Sequence, residues 1–131
     1  MADGEAGRGG RSVVLAVAGV LIALVALVFV FAPTLLHDPG PAPDLFEAVE
    51  RRVRWGLGLG IGALLVVHPW RRPWSVILAW VAFCGSGGYL LARLIGMAIE
   101  GLGSERQWVY TAVEVVICLI AAGWIRYRRL Q

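Results

Sequence analysis

The chain has 131 residues, 59% of them hydrophobic and 16% charged, with a formal net charge of +3. That is more apolar than an ordinary soluble domain, in which about half of the residues are apolar, and the length suits one domain. All twelve basic residues are arginines and most sit at the ends of oily segments. They read as membrane-topology signals and not as a nucleic-acid-binding face.

Residues 1–12 are polar and glycine-rich, which predicts a disordered N-terminus. Residues 13–32 are all apolar or glycine, enough to cross about 30 Å of hydrocarbon. A signal peptide is the competing reading, because Arg8 and Arg11 precede the run. The apolar run exceeds the usual signal core and no clear cleavage site follows, so a retained first span over about 13–35 is expected.

The Pro-rich loop 37–44 follows, outside the bilayer. Asp44 and Glu47 have the spacing of a capping box. The segment after them places Leu45, Phe46, Val49 and Val53 on one face and offers i,i+4 pairs Glu47–Arg51 and Glu50–Arg54 on another. This predicts a short amphipathic helix with a solvated charged face, Arg54 being the charge expected to turn inward.

A second span is expected over about 53–69. Its glycines at 56, 58, 60 and 62 have the letters of a phosphate-binding loop, but no strand precedes them. Their GxxxG spacing instead predicts close helix packing. His68 reads as an interfacial polar residue. After the turn PWRRP a third span is expected over about 74–99, with Cys84, Gly88, Ala92 and Gly96 forming a small-residue stripe. Cys84 and Cys118 read as packing residues, and no ligand spacing suggests a metal or cofactor.

The fourth span, about 107–127, carries Gln107, Tyr110, Thr111, Glu114 and Cys118 on one helical stripe. Val109, Val113, Val116, Leu119 and Ile120 form the opposite, lipid-compatible side. The prediction is therefore an all-α polytopic membrane protein: a four-helix transmembrane domain over 13–128. With four spans, seven arginines fall on the side of the termini and four on the other, which places both termini in the cytoplasm.

An ionisable group deep in a span costs at least a few kcal/mol on insertion scales. Glu114 and Arg93 each lie about 10 Å inside the same surface at helical rise. They should pair, with Arg54 joining from the second span and Tyr89, Trp108, Tyr110 and Thr111 nearby. Arg54, Gly56, Gly58, Arg93, the pair Glu100-Gly101 and Glu114 together resemble a group of small four-span bacterial membrane proteins catalogued as a domain of unknown function. The resemblance spans about residues 13–128. It implies four helices and a membrane location, and it implies no activity.

Two functions fit these residues best, and a transporter or channel subunit, which would require an oligomer, is a third reading. In the first, the cluster of Arg54, Arg93 and Glu114 faces outward and binds a lipid, an isoprenoid-like molecule or a partner protein. In the second, Glu114 is a proton donor that starts an isoprenoid (terpene) cyclisation or isomerisation, with Trp55, Trp80, Trp108 and Tyr110 stabilising a cation. The bilayer is the certain partner on either reading. A hydrophobic small molecule and a second copy of the chain are candidates, and nucleic acid is not.

Overall fold

The computed structural model describes the backbone of residues 2–131 and the side chains of residues 9–131. The chain forms α1 (Ala2–Phe31), α2 (Leu45–Val53), α3 (Gly56–Val67), α4 (Trp74–Glu100) and α5 (Glu105–Arg129). Among the described residues there is no strand. Three stretches are long and apolar enough to cross a membrane: Gly9–Phe31, Trp74–Glu100 and Glu105–Arg129. This is a membrane protein of all-α construction.

Three boundaries differ from expectation. Helix α1 starts at Ala2, within the segment whose composition predicted disorder. Extending an existing helix costs far less than nucleating one, so weak formers can follow a long apolar run. The same helix stops at Phe31 and not near residue 35. Pro33 disfavours helical geometry at Ala32, and the chain turns, with Leu35 N–H donating to Ala32 O at 3.2 Å.

The third difference is the larger one. The second apolar segment is not a continuous span: α3 has 12 residues, about 18 Å of rise against about 30 Å of hydrocarbon. The interruption falls at Arg54 and Trp55, whose backbones stay near the right-handed helical region (φ −53°, ψ −34° and φ −78°, ψ −8°). Trp55 N–H donates to Arg52 O and Gly58 N–H to Trp55 O, both i to i−3, so the chain tightens locally as a 3₁₀ turn does. At the far end His68 takes a left-handed conformation (φ 53°, ψ 60°) and Pro69 prevents any continuation.

The predicted amphipathic helix is present as α2. Asp44 caps it, its carboxylate accepting from Glu47 N–H at 2.8 Å. Val49 and Val53 are buried with Met97 of α4, and Leu45 and Tyr89 pack around them.

The helices lie in a row, α1 on α3, α3 on α4 and α4 on α5, with α2 lying on α4 beyond α3. Among the described residues α5 has no extensive interface with α1 or α3. The two innermost seams are made by glycine. A Cβ on Gly56 would stand 2.7 Å from Gly88 O, and one on Gly60 would stand 2.7 Å from Cys84 O. Gly19 and Gly62 approach so closely that a Cβ on either would stand 2.5 Å from the other's carbonyl. Val49 meets Gly96 in the same antiparallel register that pairs Gly56 with Gly88 and Gly60 with Cys84. So α2 and α3 run along α4 as one interrupted line.

Beyond α4, Ala121 and Ile125 of α5 pack on Ala79. Val109, Val113, Val116, Leu119 and Ile120 face outward from the row, the surface expected to meet lipid.

Gly56→Ala and Gly88→Ala should each lower stability by about 1–3 kcal/mol, because backbone would have to move to admit the methyl group. Gly85, with nothing within 4 Å of its Cβ position, is the control. Gly85→Ala should be neutral or raise stability by up to about 1 kcal/mol through helix propensity. Unfolding of the three variants in detergent, followed by circular dichroism, checks the contrast.

Candidate functional site

Arg93 is the centre of the polar site. It sits at the start of the last third of α4, and its side chain is only 4% exposed. Two elements converge on it. From α5, Glu114 accepts from Nε at 3.1 Å and from Nη2 at 2.9 Å, a bidentate pair. From α2, Glu50 accepts from Nη1, and Gln107 of α5 accepts from the same nitrogen. Gln107, itself buried, then donates through Nε2 to Phe46 O at 3.1 Å and to Glu50 at 3.4 Å.

Four of the five guanidinium N–H groups are therefore used inside the protein. The Arg93 guanidinium also lies 5.2 Å from the centre of the Tyr110 ring, whose other neighbour is Phe46. Thr111 donates to Gln107 O at 2.7 Å and so closes its own helix turn without reaching the cluster.

The expected pairing of Arg93 with Glu114 is thus realised, but the third member is different. Arg54 is 69% exposed and pairs with Glu47 at 3.1 Å. Helical phase gives the reason. Taking Val49 as the inward direction of α2, Arg52 lies roughly 60° to one side and Val53 roughly 40° to the other, while Arg54 lies roughly 140° away. Glu50 turns inward instead, so the predicted Glu50–Arg54 pair does not form.

Two other candidates stand apart. Tyr89 packs its ring against the Val49, Val53 and Met97 group and makes no hydrogen bond to Arg93. Trp108 is half exposed and donates from Nε1 to Leu102 O at 3.0 Å, which fastens the α4–α5 loop.

Sequence reasoning did not single out Arg52 as a buried residue. Its Nη1 donates to Val30 O and to Phe31 O, both at 2.8 Å, while Nε and Nη2 donate to Glu100 at 3.0 and 2.8 Å. It caps the C-terminus of α1, which has no basic residue in its last turn, and ties it to the end of α4. The i,i+3,i+4 grouping of Val49, Arg52 and Val53 was the available signal.

Both oxygens of Glu114 are engaged by Arg93. Trp55 stacks on Phe29 at 4.3 Å, and Trp80 stands roughly 20 Å from Arg93 along α4 by helical rise. Of the rings proposed to hold a cation, Tyr110 alone is placed against the Arg93–Glu114 pair, while Trp55 and Trp80 stand away from it. Among the described residues no group of three or more His, Cys, Asp or Glu side chains could hold a metal ion.

Arg93→Leu leaves two carboxylates in an apolar setting and should cost about 3–5 kcal/mol. Glu114→Gln should cost more than Glu50→Gln, because only Glu114 accepts two N–H groups of the guanidinium and because one cation faces two acids. Detergent melting temperatures of the three variants test this order. Arg52→Lys should free the α1 end, because one ammonium cannot reproduce a fork held by two carbonyls and a carboxylate. Faster proteolysis within residues 32–44 would report it.

No curated protein and no solved structure matches this chain. One family model does match, that of a domain of unknown function (DUF4345), over residues 11–125. The matched stretch contains Glu50, Arg52, Arg93, Glu100, Gln107 and Glu114, hence the whole of the buried polar site. The match covers most of the chain and agrees with the resemblance drawn from its arginines and glycines, and the chain belongs to this family of membrane proteins, the domain of unknown function DUF4345.

Proposed function

We propose that the protein is a four-span, non-catalytic membrane module that holds a lipophilic chain, isoprenoid-like or acyl-like, against its helix row. The observation that carries this reading is an apolar groove of about 560 Å³ between α1, α3 and α4, within the usual range of small-molecule sites. Leu24, Leu27, Leu59, Val66, Phe83 and Leu91 contribute its walls, and glycines including Gly62 and Gly87 line the rest. Neither Arg93 nor Glu114 lines it. The charge cluster is accordingly the frame around the site and not its head-group receptor, since Arg93 has one N–H left to offer.

The fourth span in this proposal is the α2–α3 line. Residues 45–67 together rise about 34 Å, and their register along α4 supports a complete crossing. The excess of arginines beside the termini supports a cytoplasmic location for both.

The test uses Gly87→Leu. A Cβ at Gly87 meets nothing within 4 Å, so the variant fills the groove without straining the helix seams. Lipophilic molecules that copurify with the detergent-extracted protein are identified by mass spectrometry. The expected result is one hydrophobic species retained in about equimolar amount by the natural chain and lost at least several-fold from the variant, with melting unchanged. Retention of the same species at the same level by Gly87→Leu would refute the groove as its site.

A further inference from the structure

The two ends of the row treat their arginines differently. At the end that holds the cluster, Arg51 and Arg54 pair with Glu47, Arg52 with Glu100, and Arg93 with Glu50 and Glu114. At the opposite end α4 begins and α5 finishes, and there the balance is one-sided. All seven acidic residues from position 9 onward lie in or near the cluster half of the chain. Among the described residues no carboxylate comes within 4.0 Å of Arg72, Arg126, Arg128 or Arg129.

These unpaired cations rim a cavity. A pocket of about 390 Å³ is bordered by Arg72, Arg128 and Arg129 and floored by Val76, Trp80 and Ile125. It adjoins a second cavity of about 250 Å³ that shares Trp80, Ile125 and Arg129, adds Phe83 and Ala122 as apolar wall, and is also lined by Arg126. The Arg129 guanidinium lies 6.0 Å from the Trp80 ring centre, between the two compartments. Arg128 spends one N–H on the Gln131 side chain at 3.4 Å. The first turn of α4 opens on the same pocket through Pro73, and no side chain caps it.

We propose that this pocket binds one anionic phospholipid, its phosphate among Arg72, Arg128 and Arg129 and the start of an acyl chain along Trp80, Phe83 and Ala122. A charged compartment continuous with an apolar one, at the end of two membrane-length helices, has the polarity order of a phospholipid. Basic pockets between membrane helices recognise anionic head groups in this way. The C-terminus of α5 opposes an anion with about half a negative charge, but three full positive charges and the positive end of α4 outweigh it. The inference does not depend on the apolar groove between α1, α3 and α4, with which these cavities share only Phe83.

The experiment is native mass spectrometry of the full chain in detergent, titrated with dioleoyl phosphatidylglycerol, dioleoyl phosphatidylcholine or sodium phosphate. The natural chain should retain one phosphatidylglycerol in clear preference to phosphatidylcholine, and no inorganic phosphate. A membrane-surface arginine contributes about fivefold in affinity, so Arg72→Gln with Arg129→Gln should reduce phosphatidylglycerol binding about thirtyfold. Arg71→Gln, at the same end but outside the pocket, should leave binding unchanged. Arg72→Lys with Arg129→Lys should restore most of it, which separates lost charge from lost folding. Equal retention of the two lipids would overturn the proposal. So would undiminished phosphatidylglycerol binding by the double glutamine variant, or retention of phosphate in place of lipid.

Discussion

The structure depends on keeping one guanidinium out of hydrocarbon. Arg93 cannot face lipid cheaply, and α4 cannot avoid carrying it through the apolar region. A partner that supplied charge without geometry would not suffice, because the desolvation penalty of a buried ion is repaid only when its hydrogen bonds are also met. Glu114 supplies a bidentate edge, and Glu50 and Gln107 supply the other side. Meeting these demands fixes α5 in register with α4 and draws α2 onto both. Arg52 repeats the principle one layer away, joining the end of α1 to the end of α4. Four helices are thus stitched at one end by two arginines on neighbouring elements.

The rest of the row is held in another way. Helices in lipid gain nothing from excluding water and must rely on close packing. Gly56 with Gly88, and Gly19 with Gly62, bring backbone against backbone. Dispersion contacts fall off steeply with distance, so the missing side chains strengthen the seam. The same economy puts Gly62 and Ala63 of α3 beside Leu59 and Val66 in the space between α1 and α4, where the apolar groove lies.

Much of this was legible in the residues. The oily runs gave the helices, the four-residue spacing of Cys84, Gly88, Ala92 and Gly96 gave the seam, and the matching depth of Arg93 and Glu114 gave the pair. Three things were not. The interruption at Arg54 and Trp55 depends on a 3₁₀ tightening that no single residue there demands. The exchange of Arg54 for Glu50 and Arg52 turned on helical phase over nine residues, where an error of one position turns a side chain by about 100°. Arg52 also needed the C-terminus of α1 to stop at Phe31, and that end is set by Pro33 in a loop whose path the sequence does not dictate.

The buried pair also bears on how the chain is made. Arg93 leaves the ribosome well before Glu114, so α4 emerges with an unmatched cation, and α5 then emerges with an acid it cannot carry into lipid alone. Only the four residues 101–104 separate the two helices. Entering the bilayer together as a hairpin, with the charges already joined, would spare each of the last two helices the cost of carrying a lone ion into lipid.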